Sequence, residues 1–254
     1  MFKNTYIFAF LTLLYFPIAV LVMNSFNLSI YDNCWEGFTL YWYKNLKDNT
    51  HLVQAAKNSL FIACISSCIS SVLGIFTSFL IYKYKFPGKK FLFFSIQSMI
   101  VVPDIIFATS LLMFFMLTNI KLGFLTILFS HTALSFPFVF FIIFLGCNKI
   151  ESNVLEVAKD LGASDWQVFI KIFLPLLSPN ILAAYLVAFA ISFDDVTVSS
   201  FVNSPSYELL PLKIVSLLKL SVKPEINAMC VVIFLISIFP ILLTHFLIKE
   251  KLYV

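Results

Sequence analysis

Three carboxylates lie inside long apolar runs of the chain, where a charge is costly. Asp104 lies in the run 91–117, and Asp194 and Asp195 lie in the run 180–202. Placing a carboxylate in bilayer hydrocarbon costs roughly 2.5–3.5 kcal/mol on insertion scales, so each such group suggests a functional role. A permeating ammonium group loses its water and needs compensating carboxylates. The three acids therefore predict a path for a cation, since an anion would favour basic groups or helix N-termini.

Helical spacing puts acids from two different runs at a similar depth. At 1.5 Å per residue, Asp104 lies about 20 Å from Phe91, and Asp194 lies about 21 Å from Asn180. The alternative is structural. Asp104 then caps the helix that is broken at Pro103, and one of the paired acids caps a helix end.

Two other parts of the chain carry polar groups that bear on this path. His131, in the run 122–146, lies about 13 to 14 Å below the outer edge of the bilayer by the same rise. We interpret it as a packing or hydrogen-bonding residue in preference to a cargo contact. Tyr207 and Glu208 follow a Pro/Ser-rich turn, and they are candidates to receive a cation at the outer mouth.

The composition shows what kind of protein must position these groups. Of 254 residues, 61% are hydrophobic and 12% are charged, and phenylalanine occurs 31 times. A water-soluble domain of this length cannot bury so much apolar surface, which excludes an ordinary globular enzyme and leaves lipid as the solvent. The net charge of +4 is too small to indicate nucleic-acid binding. The five cysteines are scattered, so neither a disulfide framework nor a metal site is predicted.

The apolar runs predict an all-α integral membrane protein with six transmembrane helices in a single domain, 1–254. A charge-free stretch of about 18 residues can cross a bilayer as a helix. The predicted spans cover about residues 5–23, 59–82, 91–117, 122–146, 180–202 and 228–248.

The second predicted span carries small residues at helical spacing. Small side chains allow two helices to approach closely in a membrane, and we interpret the set as a packing face, with a Ser-lined pore face as the alternative. The set comprises Ala63, Ser67, Ser70, Ser71 and Gly74.

The distribution of lysine predicts the orientation, because the chain contains no arginine. The loop 83–90 holds four lysines, whereas the loop 118–121, on the opposite side, holds only Lys121. Short loops rich in basic residues lie on the cytoplasmic side. We therefore expect a multi-pass membrane protein with both termini and the loop 147–179 in the cytoplasm.

The loop 147–179 has the pattern of two short helices joined by a sharp turn. Gly162 follows an apolar helical stripe, as a helix-terminating glycine does. Ser164 and Gln167 have capping-box spacing, which begins a second helix. Pro175 is expected to end that helix. The mixed charges of the first helix favour insertion into a protein partner over adsorption on lipid.

The same loop carries a spaced motif that resembles the EAA motif of ATP-binding-cassette importer permeases. Glu156-Val157-Ala158 is followed after three residues by Gly162, and after nine more by Ile172-x-Leu174-Pro175. Val157 replaces the alanine of the family pattern. The resemblance implies a type I importer fold in which this segment docks into an ATPase subunit. The contact positions carried over are Glu156, Val157, Ala158, Gly162, Ala163, Ser164, Ile172, Leu174 and Pro175.

A second stretch narrows the resemblance to the spermidine/putrescine (PotC-type) permease family. Residues 193–221 read FDDVTVSSFVNSPSYELLPLKIVSLLKLS, and Asn203-Ser204 departs from a common Thr-Gly. The resemblance implies a location in the bacterial cytoplasmic (inner) membrane, together with a second related permease chain, two ATP-binding subunits and an extracytoplasmic polyamine-binding protein. It also gives Tyr207 and Glu208 an alternative role as contacts for that docking protein.

The chain itself lacks the Gly-x-x-x-x-Gly-Lys phosphate loop. We therefore expect no cofactor on this chain and no enzymatic activity, with ATP and Mg²⁺ bound by the partner ATPase. Two alternatives remain open: a permease of the same family for another cargo such as ferric iron, and a gradient-driven cation transporter or channel.

Overall fold

The computed structural model describes residues 2–29, 34–148, 150, 154, 157–158, 160–220, 224–236 and 238. Within them the fold is all-helical, apart from an isolated antiparallel bridge between Asn27 and Phe38. The helices are α1 (Phe2–Asn24), α2 (Tyr41–Asp48), α3 (Thr50–Lys83), α4 (Lys89–Val101), α5 (Asp104–Leu117), α6 (Phe124–Cys147), α7 (Asp165–Leu176), α8 (Ser178–Asp194), α9 (Thr197–Val202), α10 (Leu210–Leu220) and α11 (Pro224–Ile236).

Among the described helices, α3 and α6 are long and apolar enough to cross a membrane unaided. The pairs α4–α5 and α7–α8 meet the same criterion together but are bent by 110° and 72°, so as many as four spans result if each pair is one. The helix α1 covers the first predicted span. The sixth, 228–248, is described only as far as the end of α11 and at residue 238. The number six therefore stays a prediction.

Two predicted spans are interrupted more sharply than their hydropathy indicates. Val102 is extended, with φ −66° and ψ 127°, because a residue before proline avoids the helical region, and the chain turns through 110° there. The predicted fifth span, 180–202, is not one continuous helix. The helix α8 stops at Asp194 because Asp195 is extended (ψ 122°), and the separate helix α9 begins at Thr197.

The core of the bundle is the mutual packing of α3, α6 and α8. The small residues predicted to form a packing face on α3 are all buried, which confirms that interpretation. At the α3–α6 crossing, a Cβ added to Gly74 would lie 2.5 Å from Val139 Cγ1. The two helices approach so closely because α3 carries no side chain at Gly74, and Val139 of α6 fills that space.

Side-chain contacts join segments of the chain at each end of the bundle. At one end Lys83 Nζ lies 2.7 Å from Asp165 Oδ1, which joins two segments expected in the cytoplasm. At the other end Asn58 Nδ2 donates to the carbonyl oxygen of Glu208 at 3.0 Å, and Asn49 Nδ2 donates to Glu225 Oε1 at 3.1 Å. Segments expected on the same side therefore meet.

Candidate functional site

His131 lies in the middle of α6 and is 1% exposed. Its Nδ1 lies 2.7 Å from Ser192 Oγ on α8, and its Nε2 lies 2.9 Å from Ser199 Oγ on α9. Both ring nitrogens are thus used between helices. The structure places His131 as a hydrogen-bonding residue, in agreement with the interpretation from sequence.

Hydroxyl groups on both sides of His131 extend these bonds into one chain. Ser66 Oγ donates to Ser192 Oγ at 2.9 Å, and Ser199 Oγ donates to Asp195 Oδ2 at 2.8 Å. A hydroxyl has one proton to donate, and Ser199 gives its proton to Asp195, so Ser199 Oγ accepts from His131 Nε2–H. The chain runs from Ser66 on α3 to the carboxylate of Asp195.

Asp195 caps the short helix α9. Its oxygens accept hydrogen bonds from Val198 N at 3.1 Å and Ser199 N at 2.7 Å, in addition to the Ser199 hydroxyl. The side chain is only 7% exposed, and Oδ2 lies 3.5 Å from His131 Nε2. Donors surround the charge on the protein side, which is the helix-cap arrangement of the structural alternative.

Asp194, the preceding residue, is in contrast exposed. It lies at the end of α8 beside a cavity of about 480 Å³ between α8, α10 and α11. The apolar lining exceeds the polar lining by far, so this carboxylate is the charged group among the side chains that line the cavity. The other lining residues are Ala190, Phe193, Val196, Leu210, Pro211, Ile214, Val215, Cys230, Ile233 and Phe234.

Asp104 is the first residue of α5 and is exposed. It follows the 110° bend, and the carbonyl oxygen of Pro103 receives the first hydrogen bonds of the new helix from Ile106 and Phe107. The helix α5 packs against α9. The three predicted acids therefore have three different surroundings. Among the described residues, no group of three or more His, Cys, Asp or Glu side chains is arranged to hold a metal ion.

Tyr207 and Glu208 lie where α9 and α10 are joined. Glu208 is paired with Lys213, whose Nζ lies 2.9 Å from Oε2 and 3.1 Å from Oε1. The ring of Tyr207 packs edge-on against Phe124 with the centroids 5.5 Å apart. Both predicted candidates thus have partners within the chain, although Glu208 keeps a partly exposed carboxylate.

The loop 147–179 contains the turn and cap that the sequence predicts. Gly162 has φ +83°, a left-handed conformation that favours glycine. Ser164 Oγ accepts from Gln167 N at 3.3 Å, and Gln167 Oε1 accepts from Ser164 N at 2.9 Å. This reciprocal pair is a capping box, and it begins α7.

The second helix ends one residue beyond Pro175, where the sequence predicts its end. The helix α7 passes through Pro175 to Leu176, because its middle, Phe169–Phe173, has π-helical geometry. In the wider turn Leu174 N donates to the carbonyl oxygen of Phe169, five residues back. A shift of the hydrogen-bond register tolerates a proline, which has no N–H to donate.

The two arms of the loop pack together into one unit. Ala158 and Val168 are buried against each other, with Ala163, Ile172 and Tyr82 around them. Tyr82 belongs to α3, so the unit is seated on the end of that helix. Glu156, the acid of the predicted motif, lies outside the described residues.

Four apolar side chains of this unit instead face outward. Leu161 is 83% exposed, and the others are also exposed although large: Val157, Trp166 and Ile170. Leu174 is half-buried and packs against the buried cluster that includes Phe173 and Leu177. Pro175 is exposed. A cluster of exposed apolar groups with polar neighbours is typical of a protein-binding surface.

Asp165, the first residue of α7, holds this unit to the end of α3. It is bonded to Lys83, as described above, and it accepts a hydrogen bond from Tyr84 Oη at 2.6 Å. That hydrogen bond, before a smaller effect of burial, raises the pKa of Tyr84 above its ordinary value of 10.0. The phenol is therefore protonated and donating throughout the neutral range.

Sequence reasoning missed the serine chain and the Lys83–Asp165 pair. Ser66 was not distinguished from its small neighbours, and Ser192 and Ser199 were not singled out beside the two acids. A signal did exist, because Ser192 and Ser199 flank the paired acids within one polar stretch of an apolar run. The pair at Lys83 had no local signal, since its partners are 82 residues apart.

A model of one protein family matches residues 70–249, and it describes the binding-protein-dependent transport system inner membrane component. The chain belongs to this family. The fold agrees, because a bacterial ABC transporter involved in the import of the acidic polysaccharide alginate superposes with a TM-score of 0.73 at 14% identity, over 98% of this chain and 94% of that one.

The permease also has named relatives of similar length. It is 42% identical over 238 residues to the spermidine/putrescine transport system permease protein PotC of Escherichia coli (strain K12), covering 94% of this chain and 90% of that protein. It is 40% identical over 249 residues to PotC of Haemophilus influenzae, covering 98% and 97%.

Proposed function

We propose that this permease is a membrane subunit of an ATP-driven, binding-protein-dependent importer of polyamines such as spermidine and putrescine. The assignment of polyamines as the cargo rests on the 42% identity to PotC along 94% of the chain. The charge of the candidate site supports it independently. A polyamine is a cation, and Asp194 and Asp104 present exposed carboxylates in segments that are otherwise apolar.

The four acids and the tyrosine have different tasks in this proposal. Asp194 contacts the cargo at the cavity between α8, α10 and α11, and Asp104 contacts it at the bend before α5. Asp195 adds its negative charge from behind, since its oxygens are already occupied by α9. Tyr207 and Glu208 lie at the outer end, where they meet either the cargo or the polyamine-binding protein.

The partners follow from the architecture of such importers. This chain pairs with a second, related permease, and two ATP-binding subunits bind ATP and Mg²⁺ and supply the energy of hydrolysis. An extracytoplasmic binding protein delivers the polyamine. We further propose six membrane crossings with both termini in the cytoplasm.

The unit around Gly162 is the coupling element to one ATPase subunit. Its exposed residues Val157, Leu161 and Trp166 enter an apolar groove on that subunit, with Glu156 at the same contact. The buried residues Ala158 and Val168 pack against Tyr82 of α3, and through this contact they transmit the motion of the ATPase subunit to α3. Closure of the ATPases then rocks the bundle, and the acids become accessible from the other side of the membrane.

Uptake by the reconstituted importer tests the proposal. The intact complex is reconstituted in proteoliposomes and supplied with radiolabelled spermidine or putrescine. We expect the amine to accumulate only when ATP is on the side of the membrane that bears the ATPase subunits and the binding protein is on the opposite side. Uptake that persists without ATP, and stops when an ionophore collapses the ion gradient, would contradict it. So would uptake of ferric iron with no uptake of either amine.

A further inference from the structure

We propose that His131 is a positioning residue that holds the corner between α8 and α9 and thereby directs Asp194 into the cavity between α8, α10 and α11. The inference rests on the proposed function, since it assigns Asp194 to the polyamine path. His131 itself is buried and does not meet the cargo.

The corner is short and has little support of its own. Only Asp195 and Val196 separate the end of α8 from the start of α9. His131 comes from a third helix, α6, and bonds to one residue on each side of the corner, Ser192 on α8 and Ser199 on α9. It therefore fixes the angle at which the two helices meet.

The helical geometry of α8 links this contact to the direction of Asp194. Two residues along a helix correspond to a rotation of about 200°. Ser192 faces inward, where it accepts from Ser66 and bonds to His131. Asp194 consequently faces the opposite side, which is the side of the cavity.

The hydrogen-bond directions keep the two adjacent acids in separate roles. Ser199 Oγ accepts from His131 Nε2–H while it donates its own proton to Asp195 Oδ2. Without the imidazole, Ser199 loses its bond to α6, and the start of α9, which Asp195 caps, is no longer held against that helix. Asp194 then loses its fixed direction, because it is joined to Asp195 by one peptide bond.

Two substitutions separate the two contacts of His131. His131→Asn places an amide near the position of Nδ1, so it preserves the contact with Ser192 and loses that with Ser199. His131→Gln is one methylene longer and places an amide near Nε2, so it preserves the contact with Ser199. Thr132→Val is the matched control, since the Thr132 hydroxyl bonds only within α6, to the carbonyl oxygen of Leu128 at 2.7 Å.

Spermidine-stimulated ATPase activity and uptake of the intact importer in proteoliposomes give the readout. We expect both variants to raise the half-saturating concentration of the spermidine-loaded binding protein for uptake, since each loses one of the two contacts. The rise should be about tenfold for His131→Asn, which loses the contact beside Asp195, and smaller for His131→Gln, with the maximal ATPase rate near wild type in both. Thr132→Val is expected to behave as wild type. Equal losses in His131→Asn and His131→Gln, together with less assembled complex, would mean a structural role alone and overturn the inference.

Asp194→Asn, measured in parallel, separates this inference from the proposed function. If Asp194→Asn leaves uptake unchanged, the cargo role of Asp194 fails whatever His131 does. If Asp194→Asn weakens uptake while His131→Asn does not, the positioning role fails alone. Combining His131→Asn with Asp194→Asn is expected to add no further loss, because the first change acts through the second residue.

Discussion

Lys83 and Asp165 join the last residue of α3 to the first residue of α7 through an ion pair of 2.7 Å. The Lys83 side chain is 5% exposed and that of Asp165 is 50% exposed, so the pair is shielded on one side only. It connects the proposed coupling element directly to the longest helix of the bundle.

Breaking this ion pair should lower the coupling of ATP hydrolysis to transport while it leaves the stability of the fold nearly unchanged. Lys83→Gln is expected to lower the number of polyamines transported per ATP about two- to fivefold, because a half-exposed pair contributes at most about 1 kcal/mol. Lys85→Gln, at an exposed lysine in the same loop, serves as the control. A coupling ratio equal to that of the control would show that α3 receives the motion by another contact.

The Tyr84–Asp165 hydrogen bond predicts an alkaline limit to stability. The pKa of Tyr84 is raised in the folded protein, so the bond stabilises the fold fully below pH 10.0 and is lost as the pH rises through the raised pKa. Melting temperatures of wild type and Tyr84→Phe in detergent should therefore converge as the pH increases from about 8 to about 11. A constant difference over that range would contradict the assignment.

Gly162 is required for its backbone conformation, since a Cβ there would meet no atom within 4 Å. A left-handed residue other than glycine costs about 1–2 kcal/mol, and asparagine tolerates the conformation better than a branched residue does. Gly162→Val should therefore uncouple ATP hydrolysis from uptake, whereas Gly162→Asn should retain most coupling. The ratio of ATP hydrolysed to polyamine accumulated measures both.

Gly74 is required for space. Gly74→Ala forces a Cβ against Val139 and should destabilise the α3–α6 crossing by about 1–3 kcal/mol. Val139→Ala in the same chain should restore part of the loss, because it removes the methyl group that the new Cβ meets. Thermal unfolding in detergent measures the recovery. Cys68→Ala, on the exposed side of α3, should leave the melting temperature unchanged.

The proposed orientation can be checked with thiol reagents. Cys34 is exposed in a segment expected outside, and a membrane-impermeant maleimide should label it in intact cells. Cys147 is buried, so its failure to react would carry no information about sides. Lys85→Cys is the informative partner, because that position is exposed in a loop expected inside. Labelling of Lys85→Cys but not of Cys34 in intact cells would invert the topology.

Features set by near neighbours in the chain were predictable, and those set by distant ones were not. The Ser164–Gln167 cap and the turn at Gly162 depend on residues within one helical turn of each other, so spacing alone identified them. The buried face of α3 followed from residue size. The partners of Asp195 lie partly on α6, some 64 residues away by the numbers of His131 and Asp195, and no local pattern carries that distance.

The 110° bend illustrates a second limit. Hydropathy measures how apolar residues 91–117 are, but it carries no information about the direction of the helix axis. A small kink and a sharp bend therefore give the same hydropathy profile. Pro103 located the break, but the angle depends on how α5 packs against α9. Similarly, the shift of register in α7 that carries the helix past Pro175 is invisible in composition.

The tight crossing at Gly74 pins α3 to α6 nine residues before the end of α3 at Lys83, so that α3 can act as a rigid rod on a pivot. With 34 residues at 1.5 Å each, the rod is about 51 Å long. At one end Lys83 forms an ion pair with Asp165, and at the other end Asn49, just before α3, donates a hydrogen bond to Glu225. A rod on such a pivot converts a tilt at one tip into an opposite tilt at the other, and we expect this motion to narrow one mouth of the bundle as it widens the other.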